Sequence, residues 1–268
     1  MPAGRIERMS FFVALRTQQR VWSAILRREI SEHTGKYGYR LIIGVLEPLA
    51  ALIVALVWHN LISIQPAYGN SKWLFVGSGL FPTYVFVHLS SGFRNVASAS
   101  TAQRRFPVEK TVDFVLIACF MKLALYCYAG ILGFSLIYVF FTPQALPTDW
   151  APILLAVLAI AIMGVGMGLS NSALTKMIPV WRFIWIPIAR GLVLFSGIIY
   201  VPDFLQVHIR NALAWNPVLQ GLELFRHGFW PGYPNQCYSP YYMWSFAFAV
   251  LLLGLCADRV FRRYLDDM

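Results

Sequence analysis

Carboxylates are what this sequence has least of. Only 12 of its 268 residues are Asp or Glu, against 22 Lys and Arg, and charged residues of both signs make up 13% of the chain. That is about half the ~25% usual in soluble domains. Acids this sparse give little from which to build a general acid/base pair, and only Glu47 falls inside a long apolar run. Nucleotide chemistry is missing as well: no glycine-rich loop ends in Lys-Ser or Lys-Thr, so the chain lacks the cradle with which a P-loop holds ATP. The four cysteines show no CxxC or Cys/His ligand spacing. Cys119, Cys127 and Cys256 lie in apolar runs, and Cys237, alone in an outer segment, cannot close a disulfide within the chain. They read as small packing residues, with no metal and no cofactor expected on this chain. His88 beside Ser90 and Ser91 is weak evidence for a nucleophile, since a serine near a histidine on a helix makes no triad.

What the sequence has is apolar length. Hydrophobic residues make up 58% of it, and at roughly 20 residues per span there is room for about six membrane helices and no sizeable soluble domain. The expected fold is an all-α integral membrane protein, a single transmembrane domain over 1–268. Spans are expected near 41–62, 73–92, 114–141, 153–173, 180–200 and 241–257. Met1 to Arg8 lacks the apolar core of a secretory signal, so the first span is expected to serve as the targeting signal.

The net charge of +10 is informative through its placement. Residues 1–40 hold eight Lys and Arg, the connector around Arg94 four, the connector with Lys176 and Arg182 two, and the tail after Ala257 three. The loops of the other side hold only Lys72, Arg210 and Arg226. Such asymmetry places both termini in the cytoplasm with an even number of spans. Anionic lipid headgroups account for the basic excess, and no nucleic acid is expected.

Four stretches stand out. Residues 5–30 interleave Ile6, Met9, Phe12, Trp22, Ile25 and Leu26 with arginines, the pattern of an amphipathic helix lying in the membrane plane. Its ordinary role is an anchor; the sharper reading is that Arg27 and Arg28, with Lys36 and Arg40, gather an anionic lipid-linked substrate. The basic segment 94–113 contains Arg105, Phe106, Pro107, Val108, Glu109 and Lys110. Pro107 suits the first position of a short helix and Glu109 complements its dipole. That helix either receives force from a soluble partner or is a turn that only fixes topology. Gly164, Gly166 and Gly168 in the fourth span give a groove for close helix contact. In the long outer segment 201–240, Asn216 and Pro217 form an N-cap and N1 pair, followed by a stripe of Val218, Leu219, Leu222 and Phe225 that ends at Gly228. With Phe204 to Trp215 it suggests two short re-entrant helices dipping into the outer leaflet.

Three charges are left at similar depth in the apolar spans: Glu47, Lys122 and Arg190. At 1.5 Å per residue they lie roughly 9 to 12 Å from the inner ends of their helices. An unpaired charge there costs roughly 2.5 to 3.5 kcal/mol. Lys122 can snorkel, and Glu47 is expected to pair with Arg190, within one protomer or across a dimer. The alternative is that each faces a wet canal independently, with Arg190 meeting an anionic substrate.

Several runs resemble the type-two ABC exporter permeases, in particular those that export capsular polysaccharide in Gram-negative bacteria. These are Leu26-Arg27-Arg28-Glu29-Ile30, Gly35-Lys36-Tyr37 and Leu46-Glu47-Pro48 at the entry to the first span; Arg105-Phe106-Pro107-Val108, matching the family's coupling helix; Ser196-Gly197; and Trp215-Asn216-Pro217-Val218 continuing to Glu223-Leu224-Phe225-Arg226 and Pro231-Gly232-Tyr233. The resemblance implies a homodimer of six-span permeases in the bacterial inner membrane, each seated on a soluble ATPase subunit that binds ATP and Mg. It implies a lipid-linked polysaccharide threaded between the protomers, and a periplasmic adaptor and outer-membrane polysaccharide channel beyond. On that pattern Asn216, Pro217, Glu223 and Arg226 belong to an outer gate. Permeases that export lipid-linked O-antigen share much of the pattern. An enzyme acting on lipid-linked sugar would instead need paired acids or a metal site, and a bare scaffold would need neither buried charge nor coupling helix.

Overall fold

The computed structural model describes residues 19–27, 42–43, 45–47, 49–50, 53–54, 57, 65–91 and 111–266. Among the described residues from 65 on, seven α-helices follow in order: α1 (Lys72–Ser91), α2 (Thr111–Phe140), α3 (Trp150–Met177), α4 (Trp181–Leu194), α5 (Val207–Leu213), α6 (Pro217–His227) and α7 (Pro240–Asp266). Residues 19–27 and the described positions between 42 and 57 are also helical, and no strand occurs among the described residues. Among the described residues, four helical stretches are long and apolar enough to cross a membrane: Lys72–Ser91, Val115–Phe140, Trp150–Met177 and Pro240–Val260.

α3 is the helix around which the others pack, and its small residues explain why. In lipid no hydrophobic force separates helix from solvent, so close backbone approach must supply the contact energy. A Cβ added at Gly166 would lie 2.5 Å from the Leu251 backbone nitrogen on α7, and one at Gly254 would lie 2.5 Å from the Gly166 carbonyl oxygen. The two glycines make room for each other's backbones. On a neighbouring face, a Cβ at Gly164 would come within 2.7 Å of Leu89 Cβ on α1. Gly166→Ala is therefore expected to force α3 and α7 apart at a point where neither backbone can yield, costing about 1 to 3 kcal/mol. A lowered Tm of the detergent-solubilised protein checks this.

Phe75 in the first turn of α1, Thr148 just before α3 and Ser239 just before α7 all bond to residues between 220 and 229, so the three helices run parallel from that end, and Ser91, Met177 and the far end of α7 gather at the other end of the bundle. That end carries Lys176, Arg182 and Arg259, and it also holds the starts of α2 and α4. The opposite end is built from the connections 140–150 and 195–240.

Several helices differ from their expected bounds. α2 is already helical at Thr111 and α3 extends from Trp150 to Met177, taking in residues read as connector. α7 runs on to Asp266, because nothing breaks the helix where the charged tail begins. The fifth stretch, expected over 180–200, is helical only from Trp181 to Leu194. There the chain reverses at Gly197, whose φ of +82° is open to glycine and strained for other residues. Of the segment from Phe204 to Trp215, only Val207–Leu213 forms an α-helix, and none of its residues is buried. The first span lies largely outside the described residues. So do Arg28, Lys36 and Arg40, and the coupling stretch Arg105, Phe106, Pro107, Val108, Glu109 and Lys110.

Candidate functional site: a charged cleft and an arginine clamp

Between α1, α4 and the helical positions near Glu47 lies a cleft of about 800 Å³. All three charges left stranded in the apolar runs, Glu47, Lys122 and Arg190, line it. Their equal depth thus reflects a shared space. One face of α4 supplies Ile186, Ala189, Arg190 and Val193, recurring at helical spacing, and the last turns of α1 supply Tyr84, Val87, His88 and Ser91. The ionisable side chain nearest to hand for Glu47 is His88, with Nε2 3.9 Å from Oε1. No ion pair joins Glu47 to Arg190 within one chain among the described residues. His88 is flanked by the rings of Tyr84 and Tyr126, at centroid distances of 5.8 and 4.8 Å. The Ser90 hydroxyl is spent on the carbonyl of Val87, so His88 and Ser90 form no nucleophilic pair. A cleft at membrane depth with exposed charge on its walls suits an aqueous polar guest better than lipid tails.

At the other end of the bundle α6 forms as its sequence dictates. Asn216 caps it by accepting from Val218 N at 3.0 Å, and the same amide donates to the Leu192 carbonyl of α4 at 2.9 Å. Val218, Leu219, Leu222 and Phe225 are all buried, but so is the opposite face: Gln220, Glu223 and Arg226 are within 1% of full burial. The helix is enclosed all round, by α3, α1 and the connections on either side.

Arg226 explains how a charge can sit there. Nη1 donates to Gly197 O and to the Tyr233 hydroxyl, both at 2.9 Å. Nη2 donates to Ile198 O at 2.8 Å and Phe75 O at 3.3 Å. The guanidinium lies over the Phe75 ring, 3.9 Å from its centroid. One side chain thereby fastens α6 to the reversal after α4 and to the first turn of α1. Gly79 makes the space, since a Cβ there would be 3.0 Å from Arg226 Nη2.

Glu223 is the companion acid, accepting from the Tyr233 hydroxyl at 3.4 Å. Burial pushes its carboxyl up from 4.5 to about 8, although Arg226 draws it the other way. Its Oε2 has no hydrogen-bond partner among the described residues, as suits a neutral acid more than a carboxylate. A carboxyl raised in the fold keeps its proton where the unfolded chain has lost it, so this contribution to stability is full below the unfolded value and is lost as pH rises toward the folded one. The Tm of the parent is expected to fall between about pH 5 and about pH 8 from this group, while Glu223→Gln abolishes that part of the slope. Thermal melts across that range measure it.

The N-terminal helical stretch meets the bundle at the start of α2. Trp22 Nε1 donates to Asp113 Oδ1 at 2.8 Å, and Ile25 packs on Ile117 one turn further on. Arg27 is exposed on this stretch.

A sequence profile of the ABC-2 type transporter family matches residues 20–230, from this N-terminal stretch through the arginine clamp. The chain belongs to the ABC-2 type transporter family. As an ABC-2 chain it is a transport permease and not an enzyme, and ATP hydrolysis resides in a separate subunit. Similar proteins span nearly its whole length. The polysialic acid transport protein KpsM of Escherichia coli is 23% identical over 237 residues, covering 88% of this chain and 91% of that protein. The capsule polysaccharide export inner-membrane protein CtrC of Neisseria meningitidis is 23% identical over 257 residues, 93% and 94% of the two chains. The corresponding protein BexB of Haemophilus influenzae is 24% identical over 264 residues, 96% and 97%.

Within this ABC-2 permease, depth along the spans groups Glu47, Lys122 and Arg190 but does not reveal His88 as Glu47's neighbour. A histidine four residues before the end of an apolar run was the available signal. Tyr84 and Tyr126 carried none, because aromatics are abundant throughout the spans.

Proposed function

We propose that this chain is the membrane permease of an ATP-driven exporter that moves lipid-linked capsular polysaccharide from the cytoplasm to the periplasm. The observation that carries this is end-to-end similarity to three proteins named for polysialic acid transport or capsule export. The cleft supports it: Arg190, Lys122 and His88 offer positive or protonatable groups to an acidic glycolipid, with Tyr84 and Tyr126 as faces for sugar rings. In this reading the basic end of the bundle faces the cytoplasm and the six-span fold sits in the inner membrane. Arg105 to Lys110 contact the soluble ATPase, which carries ATP and Mg. Arg27, Arg28, Lys36 and Arg40 gather the anionic headgroup, and Asn216, Pro217, Glu223 and Arg226 form the outer gate. Two copies line the path, and a periplasmic adaptor and an outer-membrane channel continue it. Affinity purification from the native membrane tests the assembly: a soluble ABC ATPase in equal amount is expected. A permease that purifies reproducibly without any ATPase, while the same preparation retains other complexes, would sink it.

A further inference from the structure

α6 carries two buried ionisable side chains that are neighbours and do not bond to each other. Glu223 and Arg226 stand one turn apart on the helix, and both are 0% exposed. The hydrogen bonds of the Arg226 fork all go elsewhere, two of them to the reversal after α4 at Gly197 O and Ile198 O. Glu223 Oε2 and Arg226 Nε are both left without a partner. That arrangement holds together while Glu223 is neutral. A carboxylate in the same place needs a charge partner, because a buried unpaired ion is far costlier than a buried neutral acid. Arg226 is the one cation acting on Glu223 among the described residues, so an ionised Glu223 and the carbonyls of the reversal compete for a single guanidinium.

The groups facing Glu223 decide when that competition begins. Asp203 comes from the 3-10 turn Pro202–Phe204, where Gln236 N donates to its Oδ2 at 2.8 Å. Tyr233 and Cys237 come from the connection before α7, and Arg210 lies beyond Cys237. α1, α3 and α7, which pack on α6, bring no ionisable group to Glu223 among the described residues. Burial raises the Glu223 carboxyl most, to about 8; Arg226 draws it down, Asp203 pushes it up and the Tyr233 hydroxyl draws it down. Its neighbours do not titrate with it. Burial pushes the Tyr233 hydroxyl well above its ordinary 10, and burial together with Asp203 pushes the Cys237 thiol up to about 12. His227, whose ring stands 6.0 Å from that of Tyr233, is lowered from 6.5 by burial and is neutral above that value.

We propose that Glu223 is a proton-binding site that operates the arginine clamp: with the proton on, Arg226 holds the reversal after α4, and with the proton lost to solvent, the carboxylate draws the guanidinium away and the reversal loosens. This goes beyond the export reading and does not rest on it, since neither polymer nor ATPase enters the test. Ile199 follows Ile198 in the reversal and is 55% exposed, so Ile199→Cys carrying a nitroxide reports the reversal by its EPR line shape. Cys119, Cys127 and Cys256 are replaced by alanine; Cys237, buried beside Asp203, is kept, and the same background without Ile199→Cys gives the blank. In the full-length permease in lipid nanodiscs, the mobile component is expected to grow several-fold between about pH 6.5 and about pH 9.5, with its midpoint near the about 8 of Glu223. Glu223→Gln, which cannot ionise, is expected to keep the low-pH line shape throughout. Asp203→Asn, which removes the carboxylate that helps Glu223 keep its proton, is expected to move the midpoint to lower pH. A parent whose line shape does not change with pH, or a Glu223→Gln variant that changes as the parent does, would overturn the proposal. An unmoved midpoint in Asp203→Asn would overturn it as well, and that test stands even where Glu223→Gln fails to fold.

Discussion

Arg226→Leu is expected to abolish export and to lower the Tm of the permease by about 10 °C. The guanidinium serves the carbonyls of Phe75, Gly197 and Ile198 and the Tyr233 hydroxyl at once. Leucine would leave these buried acceptors without donors, at ~1 to 3 kcal/mol each where water cannot reach, so a total of about 3 to 5 kcal/mol is expected after relaxation. Arg226→Lys keeps the charge, yet an ammonium has neither the planar fork that reaches carbonyls on two sides nor the flat face that lies on Phe75. It is expected to rescue little. Gly79→Val, which puts bulk against Nη2 and against the Ile198 backbone, is expected to act in the same direction. Melts in detergent and surface-polymer assays read both effects; a wild-type Tm for Arg226→Lys would show that charge alone suffices.

The second large effect is expected at Arg190. Reversal to Glu puts a second carboxylate in the cleft that already holds Glu47, and export of an acidic polymer is expected to fall by about tenfold or more. Assembly with the ATPase is expected to be unchanged, because Arg190 is exposed and no hydrogen bond or ion pair ties it to the fold among the described residues. Combining Arg190→Glu with Glu47→Arg separates two roles. If the two residues hold α4 to the first span, across a dimer, the exchange restores export. If Arg190 instead meets substrate and Glu47 answers to His88 at 3.9 Å, the double variant stays impaired. The within-chain geometry favours the latter.

What could be read in advance follows a physical line. Asn216 and Pro217 announce α6 because an N-cap and an N1 proline act on their own helix and need no tertiary partner. The glycines at 164 and 166 announce close packing for the same reason: a missing Cβ is visible in the sequence even when the helix that fills the groove is not. By sequence Arg226 falls among the outer-loop charges, yet it is 0% exposed. Nothing local says that three carbonyls from two distant segments will converge on it. Likewise hydropathy alone carries the fifth span through Gly197 to Tyr200. The reversal depends on a positive-φ glycine and on carbonyls claimed by a residue 29 positions away. Depth along a helix grouped Glu47, Lys122 and Arg190, but rotation about each helix axis, which decides that His88 faces Glu47, is set by packing.

If this ABC-2 permease carries capsular polysaccharide outward, as proposed, a deletion strain shows it most directly. Polymer is measured on the cell surface and in the cytoplasm, in the deletion and after complementation with the parent or with Arg190→Glu. Loss of surface polymer with accumulation of completed chains in the cytoplasm, reversed by the parent and not by Arg190→Glu, is the predicted result. Normal surface capsule in the deletion strain, or loss of the polymer from both compartments, would contradict it.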